Sequence, residues 1–341
     1  MAKESSSLMK KHINIPIFIP HKGCPNDCVF CNQRKISGTL FFDITKVREE
    51  IENSLETVDP ESSDIQIAFF GGSFTGIPRE EMLCLLGIAK EYIDKGAVNS
   101  VRLSTRPDYI NREILDILKA HGVKSIELGI QSLSDPVLEH SGRGHNAESA
   151  VNACRLIKDY GFELVGQMMT ALPSSSKADE VYTAEALCKL RIDGARIYPT
   201  MVFAKTKLEE MTERGEYIPP SLDELIERTE AAFSVFCDNN VPVIRIGLQS
   251  SDGLGDPDGI TYGAYESAMG EMVISRRYYN KIISLLPENT DNITVFCAMG
   301  EASKISGHKK ENKRKLYESY GIKQFKIKES ADIKPFDIII E

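Results

Sequence analysis

The stretch Ile15-Pro-Ile-Phe-Ile-Pro-His-Lys-Gly-Cys-Pro-Asn-Asp-Cys-Val-Phe-Cys-Asn-Gln33 decides the fold. Its first five residues are an apolar run of strand type. A short polar loop follows, holding Cys24, Cys28 and Cys31 in C-x3-C-x2-C spacing. Thiolates so placed can hold three corners of an iron–sulfur cluster; ferredoxin runs supply four, so here one iron lacks a protein ligand. An open metal position is where chemistry takes place, as in catalytic zinc sites. Two other readings compete: a disulfide with a spare thiol, and a three-cysteine zinc site with His21 as the nearby fourth ligand. Disulfide frameworks belong to small secreted chains, whereas this sequence has 341 residues and a Met1-Ala-Lys-Glu start without an apolar signal segment. Cys84, Cys154, Cys188 and Cys237 fall in apolar-periodic stretches and Cys297 in a strand-like one, so all five are expected as small buried hydrophobes.

Outward from that loop, short β-branched runs alternate with helical patterns: Ile65–Phe70, Val101–Ser104, Ser125–Ile130, Phe162–Met169 and Ala195–Tyr198. Strands separated by helices mean parallel βα units. Asn146 is a helix N-cap ahead of Val151, Cys154 and Ile157, and Gly161 follows the end of that helix. Six strands predict an α/β fold, a partial (β/α)6 TIM-like barrel, whose working groups belong at the C-terminal ends of the strands. The cysteine loop follows strand one, Gly71-Gly-Ser-Phe-Thr-Gly76 strand two, Thr105-Arg-Pro-Asp108 strand three and Gln131-Ser132 strand four.

After Thr200 the pattern changes. The bridge Glu216-Tyr-Ile-Pro-Pro-Ser221 leads to a helix from about Leu222, and Asp252–Gly259 reads as turn chemistry rather than a calcium loop. The expected organisation is a tail over 1–14, the barrel over 15–220, and a small α+β C-terminal extension over 221–341 with a strand near Thr294–Phe296 and another near Phe336–Ile340. At 38.0 kDa and 42% hydrophobic residues the chain can build a full-sized core. No apolar run approaches the roughly 18 residues of a membrane span, so a cytoplasmic protein without a membrane partner is expected. The net charge is -9, yet segment 302–328 carries nine Lys/Arg against Glu311 and Glu318. Within it Gly307-His-Lys-Lys resembles the GXXG loop with which KH modules clamp a nucleic-acid backbone, which makes Lys309, Lys310, Lys313 and Arg314 candidate RNA contacts; a solvated basic helix is the alternative.

With the cysteine loop, the double glycine and the barrel in place, the chain resembles the radical S-adenosylmethionine (SAM) superfamily, whose signature is C-x3-C-x2-C. More narrowly it is similar to the group containing the catalytic subunit of Elongator. The stretches that carry this are Glu127-Leu-Gly-Ile-Gln-Ser132, Arg143-Gly-His145, Gly161-Phe162, Leu172-Pro173, Ile197-Tyr-Pro-Thr200, Arg214-Gly-Glu-Tyr217 and Ile244-Arg-Ile246, from about Ile15 to Gln249. The resemblance implies a 4Fe-4S cluster on Cys24, Cys28 and Cys31, with SAM chelating the open iron. It implies one-electron cleavage of SAM to methionine and a 5′-deoxyadenosyl radical, fed by a donor such as flavodoxin or ferredoxin. By motif position it assigns Gly71 and Gly72, with Ser73 beside them, to the methionine amino group, where an ordinary strand-to-helix turn is the alternative. Gln131 and Gln167 match ribose contacts, and Phe30 matches a residue that shields the cluster or touches adenine. Arg143 matches a carboxylate contact, the alternative being a surface arginine. Ser104 is a SAM contact where Elongator-type sequences read Glu-Thr-Arg-Pro-Asp.

The Elongator subunit also carries an acetyltransferase part, which these 341 residues are not expected to supply, so acetyl-CoA-dependent carboxymethylation of wobble uridine by this chain alone is not expected. The leading expectation is a radical SAM enzyme acting on a tRNA base. The alternatives are a radical SAM enzyme for a small molecule, similar to oxygen-independent coproporphyrinogen oxidase, and a non-catalytic protein that carries a cluster or zinc.

Overall fold

The computed structural model describes residues 11–19, 22–24, 28–32, 42–248, 259–288 and 290–341. The tail over 1–10, His21, Gln33, Gln249 and the Gly/Asp-rich loop at 252–258 lie outside the described residues. The chain divides into two compact units, one running to Gln167 with Leu190–Asp193, the other comprising Met168–Lys189 and Gly194–Glu341.

The first unit alternates strand and helix: β1 (Lys11–Ile19), α1 (Val47–Leu55), β2 (Ser63–Gly71), α2 (Arg79–Asp94), β3 (Ser100–Thr105), α3 (Arg112–Ala120), β4 (Val123–Gln131), α4 (Asp135–His140), α5 (Ala147–Asp159) and the start of β5 (Glu163–Thr170). β1, β2, β3 and β4 pair in parallel, with Ile15 beside Ile67, Ile67 beside Val101 and Leu103 beside Ile126. Residues two apart along a strand share a face. On one face Ile15, Ile17, Ile65, Ile67, Val101, Leu103, Ile126, Leu128 and Ile130 are all buried. The intervening positions hold Gln66, Arg102, Ser125 and Glu127, also buried, alongside Ala68, Phe18 and Phe70, so the opposite face carries a buried polar group within a mixed surface. A parallel sheet covered on both sides ordinarily reads as continuous apolar runs; the polar side chains at Gln66, Arg102 and Glu127 interrupt them on β2, β3 and β4. Asn146 caps α5 as its sequence predicts, its side chain accepting from Ser149 N.

In the second unit come α6 (Lys177–Lys189), β6 (Gly194–Pro199), β7 (Val202–Phe203), α7 (Lys207–Glu213), α8 (Leu222–Asp238), β8 (Val243–Ile246), β9 (Ile260–Tyr262), α9 (Met269–Leu285), β10 (Asn292–Ala298), α10 (Ala302–Ser306), α11 (Glu311–Tyr320), β11 (Gln324–Ser330) and β12 (Ile338–Ile340). The main sheet has the strand order β1-β2-β3-β4-β5-β6-β8, one strand more than the six read from sequence. The addition is Val243–Ile246, which sequence placed in the C-terminal extension and which pairs in parallel with β6. Tyr217, in one of the resemblance stretches, donates its hydroxyl to Ala171 O at 2.8 Å and so ties the Arg214–Tyr217 segment to the turn after β5. The C-terminal strands form a separate sheet, β11-β10-β12, over a core of Tyr278, Ile282, Val295, Cys297, Ile305, Leu316 and Phe325. Cys84 departs from expectation: it is exposed, on a turn of α2 that faces away from Leu85 and Leu86, while Cys188 and Cys237 are half-buried and Cys154 and Cys297 are buried as expected. Among the described residues no helix is long and apolar enough to cross a membrane.

Candidate active site

Because β1 and β2 run in register from Lys11 beside Ser63 to Ile19 beside Gly71, the loops that follow them start at the same level. Their backbones then lie directly against each other. Gly72 N donates to Ile19 O at 2.8 Å and Ser73 N to Lys22 O at 3.0 Å. There is no space for side chains in this contact: a Cβ on Gly72 would lie 2.0 Å from Lys22 O, and one on Gly23, whose φ is +77°, 2.1 Å from Ser73 O. Gly71 and Gly72 therefore have a structural duty that sequence did not show, which is to seat the cysteine loop. On its far side the loop is held by Val29 N donating to Ser141 O at 3.1 Å, and Cys31 N closes a turn onto Cys28 O at 3.0 Å.

Cys28 is buried, Cys31 and Phe30 are half-buried, and Cys24 reaches solvent. Although the residue is exposed overall, the Cys24 thiol is raised above its ordinary pKa, first by desolvation among the surrounding protein atoms and then by Cys28, while Arg106 and Arg143 pull the other way. Both guanidiniums are buried. Arg143 Nη1 donates to Cys28 Sγ at 3.3 Å, and its Nη2 donates to Gly129 O. This burial rules out the surface-arginine reading. Arg106 makes a forked pair with Asp108, 2.9 Å on each arm, and donates Nη2 to Arg143 O. Burial alone would raise the Asp108 carboxyl; the Arg106 hydrogen bonds and charge outweigh it and hold the group below its usual range. His145, also buried, is pushed down to about 4 by burial and by the two arginines, so it is neutral at pH 7.

Four polar atoms of these buried side chains have no hydrogen-bond partner: Arg106 Nη1, Arg143 Nε, Gln131 Oε1 and His145 Nδ1. Unpaired buried polar groups are costly and uncommon. Gln131 adds backbone strain, with φ at +68° on a residue that is not glycine. Among the described residues no three His, Cys, Asp or Glu side chains are gathered into a ready metal cage. The donor set nevertheless fits a cluster and an anionic, polar cosubstrate: three thiols on one loop, two buried cations beside them, and unpaired donors and an acceptor in the same unit.

Other sequence candidates are placed differently. Ser73 is buried, and its hydroxyl is engaged with Thr105 Oγ1 at 2.9 Å and accepts from Arg106 N at 3.1 Å. Ser104 is half-buried and pairs in register with Glu127. Gln167 donates Nε2 to Glu127 Oε2 at 2.9 Å, and Glu127 is in turn ion-paired to Arg102 at 3.1 Å, so this glutamine belongs to a buried polar network. In the second unit Lys309, Lys310 and Arg314 are exposed and Lys313 Nζ lies over the Tyr317 ring, 5.6 Å from its centroid. Sequence reasoning missed Gly23, Arg106, Asp108 and His145 as site residues. The Thr105–Asp108 segment at a strand end was the available signal for two of them.

The family model described as the Radical SAM superfamily matches residues 18–187, and the Radical_SAM C-terminal domain matches 192–279. A protein of Methanocaldococcus jannaschii bearing the name "uncharacterized" is 30% identical over 222 residues, 63% of this chain and 68% of its own length. Elongator complex protein 3 of Saccharomyces cerevisiae is 28% identical over 183 residues, 48% of this chain and 33% of that one. A tRNA uridine(34) acetyltransferase of M. jannaschii is 32% identical over 136 residues, 39% and 25% of the two chains. The chain thus spans a third or less of these two named relatives. Among solved structures, archaeal Elp3 of Methanocaldococcus infernus with an N-terminal deletion superposes with a TM-score of 0.60 at 22% identity, over 81% of this chain and 63% of that one. The shared fold is the α/β partial barrel, here followed by a C-terminal region of strands and helices.

Proposed function

We propose, from the premise that this chain belongs to the radical SAM superfamily and within it to the Elongator catalytic-subunit-like group, that it is a radical SAM enzyme whose substrate is a base in tRNA. The observation that carries the reading is the meeting of the Cys24–Cys31 loop with two buried arginines and four unpaired polar atoms at the strand ends of one unit. Cys24, Cys28 and Cys31 would hold a 4Fe-4S cluster. The chemistry supplied there is one-electron cleavage of SAM to methionine and a 5′-deoxyadenosyl radical, which takes hydrogen from a substrate carbon.

The protein's own part is binding, orientation and charge. Arg143 Nη1, at 3.3 Å from the Cys28 sulfur, would balance the charge of that sulfur as a cluster ligand, and Nε is kept for a carboxylate. Gln131 Oε1 is an acceptor suited to a ribose hydroxyl. The Gly71–Gly72 turn keeps the loop seated against the C-terminal ends of β1 and β2, which would hold the three thiols together. His145, neutral at pH 7, adds no charge beside the two arginines. The tRNA reading rests on the printed names of relatives and on the basic segment containing Lys309, Lys310 and Arg314. Electrons would come from a small donor protein such as flavodoxin or ferredoxin.

Anaerobic protein reconstituted with iron and sulfide, then given dithionite and SAM with and without tRNA, should release 5′-deoxyadenosine, and Cys28→Ala should release none. Failure of the wild type to bind iron overturns the reading. In filter binding, tRNA affinity should fall steeply with salt, and the double substitution Lys309→Ala, Lys310→Ala should lower the salt slope by about 1 to 2. Salt-independent or absent tRNA binding overturns the choice of substrate.

A further inference from the structure

We infer that Arg106 is a positioning residue that acts through Arg143 to hold a cationic hydrogen-bond donor on the Cys28 sulfur, and thereby sets the reduction potential of the centre bound there. The inference rests on the cluster reading above and adds to it a residue and a means of control. The geometry is a chain of contacts within one unit. Asp108 grips Arg106 with both carboxylate oxygens, each at 2.9 Å, which fixes the plane of the guanidinium. Arg106 Nη2 then donates to the backbone carbonyl of Arg143, and its own backbone N–H is anchored on Ser73 Oγ at 3.1 Å. The clamped residue, Arg143, places Nη1 at 3.3 Å from Cys28 Sγ while Nη2 is held by Gly129 O.

A loose arginine would not need this support. Arg143 follows Gly142 and precedes Gly144, both at positive φ, so the backbone that carries it turns sharply and has little stiffness of its own. The clamp on its carbonyl supplies what the glycines remove. Burial makes the arrangement count, since Arg106 is 3% and Arg143 6% exposed, and hydrogen bonds to ligating sulfurs are among the factors that set cluster potentials. A donated hydrogen bond from a cation stabilises the more negative, reduced state. The electron itself comes from an external one-electron reductant, dithionite in the assay, and no bond is made or broken in the protein.

The test is the midpoint potential of reconstituted protein, followed by visible absorbance during an anaerobic redox titration, with iron per chain measured for every variant. Arg106→Lys keeps the charge and loses the fork, so a purely electrostatic role would leave the potential where it is. The expected result is a fall equivalent to about tenfold in the reduction equilibrium, 59 mV for one electron. Arg143→Lys should fall by at least as much, and the double variant no further than Arg143→Lys alone, because the two residues act in series. An unchanged potential in Arg106→Lys at full iron content, or additive shifts in the double variant, overturns the inference and leaves the cluster reading intact. A wild-type protein that binds no iron removes the cluster reading and this inference together. A merely structural role would lower the thermal midpoint of Arg106→Lys without moving its potential.

Discussion

Substituting Gly72 by alanine tests the claim that backbone contact seats the cysteine loop. The new Cβ would lie 2.0 Å from Lys22 O, 3.0 Å from Lys22 C and 3.1 Å from Ile19 O. The first of these is about 1.3 Å short of a carbon–oxygen contact of roughly 3.3 Å, and the obstacle is backbone, which cannot rotate away. Opening that gap breaks the bonds Ser73 N to Lys22 O and Gly72 N to Ile19 O. Two hydrogen bonds at about 1 kcal/mol each and an overpacking cost of about 1–3 kcal/mol give a loss of about 3–5 kcal/mol. The loop moves outward with its thiols, so iron uptake falls with stability. The assay is urea unfolding of the metal-free protein, paired with iron per chain after anaerobic reconstitution. Gly87→Ala is the control, because nothing lies within 4 Å of its Cβ position on α2, and it should stabilise by up to about 1 kcal/mol. A Gly72→Ala protein with the wild-type unfolding curve and full iron would refute the packing argument.

Three further outcomes are expected. His145 has a folded pKa of about 4 against an ordinary 6.5, so the unfolded chain binds the extra proton between those values; its contribution is complete above pH 6.5 and is lost as pH falls toward 4. From pH 7 to pH 5 wild type should lose about 2 kcal/mol to this group, and His145→Gln should show a flatter profile by urea midpoint; parallel profiles would count against it. Glu127→Ala leaves the buried Arg102 with Glu163 at 3.7 Å and should destabilise by about 3–5 kcal/mol, whereas Arg102→Met with Glu127→Leu should recover most of that loss in the same assay. In the second unit, Tyr278→Phe removes the donor to Glu301 at 2.5 Å and the acceptor for Phe336 N at 2.9 Å, both from a fully buried ring, and should cost about 2–3 kcal/mol by thermal or urea unfolding.

The strands of the barrel were legible because each is a run of β-branched and apolar residues set between helical patterns, and periodicity of that kind is local. Chain-local capping was legible for the same reason, as Asn146 shows. Val243–Ile246 was harder: it is short, and its place in the sheet depends on β6, some fifty residues earlier, so its own pattern does not say which strands it joins. Cys84 read as buried because Leu85 and Leu86 beside it are, but on a helix adjacent residues face different directions. Gln167 matched a ligand position by motif, and only the fold shows that its Nε2 also donates to Glu127, a partner forty residues away in the chain.

The sequence by itself determined which residues are the candidate cluster ligands, since three thiols in C-x3-C-x2-C spacing lie within eight consecutive residues and need no fold to be seen together. It also determined that the loop stands at a strand's end. Only the tertiary structure decided why Gly23 and Gly72 must be glycine, because the atoms they would strike belong to another βα unit. It alone decided that Arg143 faces Cys28 across 115 positions of chain, and that Arg106 and Asp108 brace it. The physical reason is range: thiol spacing and strand periodicity are written in neighbouring residues, whereas close packing and buried charge pairs exist only once the strands have brought distant residues to the same edge.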